Sequence, residues 1–338
     1  MSNNTSSSLQ ISVFNVTIPV ILPVTKTEMI VWLTMQITIA LTGALLIIFY
    51  LFAMHRLRKL TTGSGLLVAH ALIIDLIFCL GGVPVIAIPV YLTQMQVHFE
   101  YSCMPVDFFL LFIMIAGNWT AVVLSINRWL AVVTPHHYAR IATRRMSFLT
   151  LLFVWSVALG CSIPFLNTIP GMVHGILPSG ICGLIRQSGP TTMILVVFGT
   201  YLPLVLMAIV YSSLFIYTRM QNKFNKIENQ ANEERPFRAF ERRLRIAKAL
   251  CLSFIWYCLC ILPPPILTVF FASWWVKDIR MTLYTKTAQV LAYAASPVFF
   301  FAVGTEYRAV VKKGARDFLR SVRNVSSIHP SIQGSASA

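Results

Sequence analysis

Charge is what this sequence has least of. Only 11% of its 338 residues are Asp, Glu, Lys or Arg, where soluble chains carry about 25%. With 57% hydrophobic residues, an ordinary water-soluble domain is excluded. Acids are scarcest, 11 against 27 Lys and Arg. The net charge of +16 raises nucleic acid as a partner, but the placement of the cations argues for no nucleic acid. The sequence has no internal repeat, and Asp75 is its one acid at depth, so the marks of a transporter are missing. No filter or charged ring points to a channel. His70 and the scattered cysteines make no reactive constellation, so no enzyme is expected, and no cofactor or metal. A secretory leader is not evident either: the first residues lack a basic segment, and Pro19 and Pro23 interrupt the run Ile11–Val24. The first crossing is expected to serve as signal-anchor.

Seven apolar runs are present, about Met29–Met54, Leu66–Leu92, Met104–Val133, Phe148–Ile169, Thr191–Tyr217, Ala247–Ala272 and Met281–Val303. Each is long enough for a membrane helix, which needs roughly 20 residues. Of the 27 Lys and Arg, 21 lie in alternate connections and in the C-terminal tail. Positive residues stay cytoplasmic, which predicts the N-terminus outside and the C-terminus inside a plasma-membrane protein. The basic face then meets anionic membrane lipid and acidic partner surfaces. Expected domains are an extracellular tail (1–28), a seven-crossing domain (29–304), a membrane-surface helix (305–318) and a cytoplasmic tail (319–338). The fold class is an all-α membrane protein, a seven-helix bundle with a short amphipathic eighth helix. Tyr307, Val310, Val311 and Phe318 give that helix its apolar face. The tail has no cysteine for palmitoylation.

Asn3, Asn4 and Asn15 are glycosylation acceptors on the outer tail. Cys103 and Cys182 are the cysteines expected outside, where an oxidising compartment allows them to pair. The third crossing ends in Asn127-Arg128-Trp129. Arg128 is either a snorkelling cation or a functional one. Asp75 must face the bundle interior, hold a cation or stay protonated. Pro84 is expected to kink the second crossing, and Pro263 and Pro297 to hinge the sixth and seventh.

These landmarks resemble the rhodopsin-like, class A G-protein-coupled receptors over nearly the whole chain. Arg128 follows Cys103 by 25 residues and Pro135 comes seven later. Asp75, Trp155, Pro203 with Tyr211, Pro263 and Pro297 occupy the remaining landmarks, and Tyr307-Arg308 opens the eighth helix. The motifs also depart from the pattern. Gly-Asn is Gly43-Ala44, and Asp-Arg-Tyr is Asn127-Arg128-Trp129, resembling melatonin receptors and some invertebrate orphans. Cys-Trp-x-Pro is Cys260-Ile261-Leu262-Pro263, and Asn-Pro-x-x-Tyr is Ser296-Pro297-Val298-Phe299-Phe300.

The resemblance implies signalling from an extracellular ligand to a heterotrimeric G protein by outward movement of the sixth helix. It assigns coupling and activation to Asn127, Arg128, Trp129, Tyr211, Arg243, Pro263, Ser296, Pro297 and Phe300. The partners of the resting arginine in much of the family are replaced here by Asn127 and Arg243, which implies raised ligand-independent signalling. The family's sodium site would rest on Asp75, with Gly117 and Ser296 where other ligands are usual. Sodium wants about six oxygens by analogy with other hard cations, so its regulation is expected to be weak or absent.

The ligand, unknown in kind, is a lipid, a small anionic molecule or a peptide. Leu110 stands where aminergic receptors carry aspartate, and Val290 where opsins carry lysine. Asp107, Leu110, Met114, Ile261 and Lys286 are candidate ligand contacts. Lys286 pairs either with an anionic ligand group or with Asp107. Trp274 and Trp275 are ligand contacts or membrane anchors. The rival reading is a receptor-like protein that binds a ligand or a partner receptor without G-protein coupling.

Overall fold

Thr25 starts the first helix by accepting a hydrogen bond from the Glu28 N–H (3.2 Å), while Glu28 Oε2 accepts from Thr25 N–H (2.9 Å). This reciprocal capping satisfies two amide donors that the first turn cannot. It also starts the helix at Lys26, inside the stretch expected to be tail. The structure is a computed structural model that describes residues 24–97, 102–166, 173–176, 180–186, 194, 197–228, 251–270, 278–303 and 316. The acceptors Asn3, Asn4 and Asn15, the cation Arg243, Trp274, Trp275 and the surface helix 305–318 (Arg316 apart) lie outside the described residues.

Seven crossings pack into one helical bundle. Lys26–Arg56, Gly63–Gln94, Cys103–Val133, Arg144–Ser162 and Val197–Gln221 are each long and apolar enough to cross a bilayer. The sixth crossing is two helices in tandem, Cys251–Ile261 and Pro263–Phe270. The seventh is Ile279–Ala294 followed by Ser296–Val303. Both breaks fall where the sequence places a proline. Proline lacks the N–H that would bond four residues back, and its ring crowds that carbonyl.

In the second and fifth crossings the helix answers proline differently. A π turn, Phe78–Gly82, precedes Pro84, and another, Val197–Tyr201, precedes Pro203. Pro84 and Pro203 have no N–H for the carbonyls four residues back, those of Leu80 and Gly199, each the central residue of its π turn. The kink expected at Pro84 is therefore a widened turn just before it.

Helix Cys103–Val133 is the most buried of the five long ones, which places it at the centre. Two apolar layers surround it. One holds Ile74, Phe78, Ile115, Ala116, Val154 and Tyr293; the other, nearer Arg128, holds Ile47, Tyr50, Leu72, Met207, Tyr211 and Phe300. The outward faces stay apolar, with Leu41, Leu45, Phe52, Phe153 and Ile209 about half or more exposed. Such a surface suits hydrocarbon rather than water.

Between the fourth and fifth crossings runs a hairpin that the sequence reading did not anticipate. Strand β1 (Val173–Ile176) pairs antiparallel with β2 (Cys182–Arg186), Ile176 opposite Cys182. Cys182 is joined to Cys103 at the head of the third crossing. Gly180, at φ 84°, lies against the second crossing so closely that a Cβ would sit 2.8 Å from Thr93 and 2.9 Å from Val90. Only glycine meets both demands.

Candidate functional site

The seventh crossing turns at Ala295, and the next residue, Ser296, uses its hydroxyl to donate to Asp75 Oδ2 of the second crossing (2.5 Å). A carboxylate buried in a bundle needs such a donor, since an unsatisfied one is costly. Beside this pair lies a cavity of about 100 Å³, bordered by Asp75, Asn118, Tyr211, Tyr257, Ser296 and Phe300 among others. Small residues on its walls, Ala71, Gly117, Ala121 and Ala292, leave the space open. It has room for water beside polar groups. The oxygen-bearing walls are Asp75, Asn118, Tyr211, Ser253, Tyr257, Tyr293 and Ser296, and Gly117 contributes none.

Asn118, in the middle of the third crossing, is only 2% exposed. Its Oδ1 accepts from the Tyr257 hydroxyl of the sixth crossing at 2.7 Å. Its Nδ2 donates to the Gly199 carbonyl of the fifth at 3.2 Å. That carbonyl is the one Pro203 cannot serve, so the asparagine supplies the missing donor. Gly199 allows the approach; a Cβ there would stand 2.9 Å from Ile115. The neighbouring Trp256 donates from Nε1 to the Leu291 carbonyl of the seventh crossing (3.3 Å). Tyr293 stacks on Phe78, ring centroids 4.0 Å apart, and meets Tyr257 edge-on at 6.1 Å. One stretch of the sixth crossing is thus tied to the third and the seventh, and through Asn118 to the fifth.

Toward the other end, Asn127 is half-buried, and its Nδ2 has no hydrogen-bond partner among the described residues. Arg128, half-buried, lies close enough to Tyr211 to act on it electrostatically. Trp129 packs on the apolar layer that contains Tyr211 and Phe300. Phe300 turns to the first crossing, its ring 5.6 Å from that of Tyr50. The structure thus gathers Asp75, Ser296, Tyr211 and Phe300 on one cavity, with Pro263 and Pro297 at the helix breaks.

Near the disulfide end, Lys286 Nζ donates to Gln289 Oε1 at 3.3 Å, and Asp107 is near enough to attract the ammonium. Leu110 and Ile261 pack against the layer that holds Ile115 and Tyr293, and Met114 is half-buried. The first and seventh crossings are fastened to each other here. Arg280 pairs with Glu28 at 3.0 Å, and Trp32 Nε1 donates to the Leu283 carbonyl at 3.1 Å.

Sequence reasoning passed over Asn118, Trp256, Tyr257 and Tyr293. One signal was available: an amide in the middle of an apolar crossing needs partners, and a tyrosine or tryptophan at the same depth is the natural donor.

Comparison with known proteins gives a consistent picture. The family model described as "7 transmembrane receptor (rhodopsin family)" matches residues 43–298. Melanopsin-A of Danio rerio is 22% identical over 291 residues, 82% of this chain but 48% of that protein. The match therefore spans about half the length of melanopsin-A. The galanin-like G-protein coupled receptor npr-9 of Caenorhabditis elegans is 24% identical over 311 residues, covering 80% of this chain and 69% of that one. Squid rhodopsin is similar in fold, with a TM-score of 0.73 and 14% identity, over 89% of this chain and 91% of that structure.

Proposed function

The chain belongs to the rhodopsin family of seven-transmembrane receptors, and on that premise we propose that it passes an extracellular signal to a heterotrimeric G protein. The observation that carries the proposal is the family match from Gly43 to Val298, with an arginine retained at the end of the third crossing. Arg128 is the residue that meets the G-protein α subunit once the sixth crossing swings outward. Pro263 supplies the hinge: with Pro264 and Pro265 it leaves three consecutive positions with no N–H to donate, while Leu262 keeps its bonds to Cys258 and from Ile266. The family sits in the plasma membrane in this reading, N-terminus outside.

Among ligands, a peptide fits best. Val290 rules against the covalent retinal link of opsins, and Leu110 against a monoamine. The likeness to a receptor named galanin-like points the same way. Lys286 is held by Gln289 and attracted by Asp107. That supports an internal ion pair above an anion-binding lysine.

Guanine-nucleotide exchange on co-expressed α subunits tests the coupling. The unchanged chain gives measurable exchange, and Arg128→Ala abolishes it. Exchange indifferent to Arg128→Ala across α subunits would favour the receptor-like reading without coupling, which the altered Asn127, Ile261 and Ser296-to-Phe300 positions motivate.

A further inference from the structure

We infer that Trp32 and Gln36 of the first crossing set how far the seventh crossing is turned about its own axis, and so aim Lys286 at Asp107. The inference takes from the reading above only that these two charges pair. Four contacts join the two helices along one seam: Glu28 with Arg280, Trp32 with Leu283, Gln36 with Thr287, and Gly43 with Ala294. At about 100° per residue, Arg280, Leu283, Thr287 and Ala294 fall on a stripe about 60° wide, and their four partners on one about 80° wide. Lys286 lies about a quarter-turn to one side of that stripe, where its Nζ meets Gln289. Tyr284 lies to the other side and is 66% exposed on the outward face.

Apolar packing alone leaves a membrane helix free to turn, because lipid is as apolar as the side chains beside it. Two buried polar groups remove that freedom here. Trp32 is 5% exposed and Gln36 1%. Of the two ways an amide can be set, the one that satisfies Gln36 turns its oxygen to the seventh crossing. It then accepts from the Thr287 hydroxyl at 2.6 Å, the Thr287 N–H at 3.2 Å and Trp32 Nε1 at 3.0 Å. Trp32 Nε1 also donates to the Leu283 carbonyl at 3.1 Å. A turn by one residue would bring Ala288 or Lys286 to the place of Thr287. Ala288 has no polar side-chain atom, and Lys286 only donates, so Trp32 gains nothing from it. Both turned positions forfeit hydrogen bonds in an apolar interior that has no water to replace them. Glu28 and Arg280 cannot set the angle, since both are at least 40% exposed and such pairs are worth little.

The test uses the full chain in lipid nanodiscs with nitroxide labels on Tyr284→Cys and Leu159→Cys, both outward-facing. The free cysteines (Cys79, Cys161, Cys251, Cys258 and Cys260) are replaced by alanine. Trp32→Phe keeps the ring and removes the N–H; Gln36→Leu keeps the bulk and removes the amide. Each is expected to split one label distance into two, displaced by up to about 9 Å, the travel of an arm of about 6 Å turned by about 100°. In parallel, a membrane-permeant carbodiimide joins Asp107 to Lys286 as an amide where they touch, and mass spectrometry measures the product. The product is expected to fall about twofold or more in either variant, the drop when the turned state is equally populated. Asp107→Asn gives no product and keeps the single distance. If Gln36→Leu does not reach the membrane, Thr287→Val takes its place. An unsplit distance in Trp32→Phe or in the amide variant overturns the proposal. A split in Asp107→Asn also overturns it, because the ion pair would then be setting the angle. Split distances with no product even in the unchanged chain uphold the seam and sink the Asp107–Lys286 pair instead.

Discussion

Asn127 sits half-buried beside the cation that the family uses for coupling, with its Nδ2 unserved among the described residues. An amide cannot offer Arg128 what a carboxylate offers, since a charge-assisted hydrogen bond is about twice as strong as a neutral one. Asn127→Asp is therefore expected to quieten the receptor. A gain of about 1 kcal/mol in the resting state lowers basal nucleotide exchange roughly fivefold, with surface expression unchanged. Equal basal exchange in the two proteins would refute the loosened resting state. At this scale the sequence was legible for charges and for the Cys103–Cys182 pair, and silent on the hydrogen-bond partners of the buried Asn118 amide. Asp75 declared itself as the lone deep acid, and Ser296 follows from its place before Pro297. The bond between Asn118 and Tyr257 spans 139 positions. It depends on the rotation of two helices about their axes, which local periodicity specifies only loosely.

Each crossing was legible by length and apolarity, less so at its ends. The first begins three residues before Met29 because of the Thr25–Glu28 cap, and the fifth runs on to Glu228. The hairpin escaped because strands of four and five residues give too little alternation to stand out. Helix contacts test the packing. A Cβ on Gly43 would lie 2.6 Å from Ala294 Cβ and 2.7 Å from its Cα. There the first and seventh crossings meet without room for a side chain. Gly43→Val is predicted to push the two apart at a cost of about 1–3 kcal/mol, as for overpacked cores, and to lower the melting temperature of the purified receptor. An unchanged melting temperature would mean that the helices separate freely at this point.

For the molecule as a whole, the cation asymmetry predicts which end of the chain faces outward. An epitope tag before Met1 is expected to be stained on intact cells, and one after Ala338 only after permeabilisation. Both tags on one face would contradict seven crossings. The π turn Phe78–Gly82 carries a consequence for the same overall architecture. It inserts an additional residue into a helix whose successive residues are set about 100° apart. Everything beyond Gly82 in the second crossing, up to Gln94, is thereby turned out of phase with the stretch that holds Asp75. The two ends of the bundle thus meet differently phased stripes of one helix, so side chains near the disulfide and side chains that hold the core around Asp75 can vary independently.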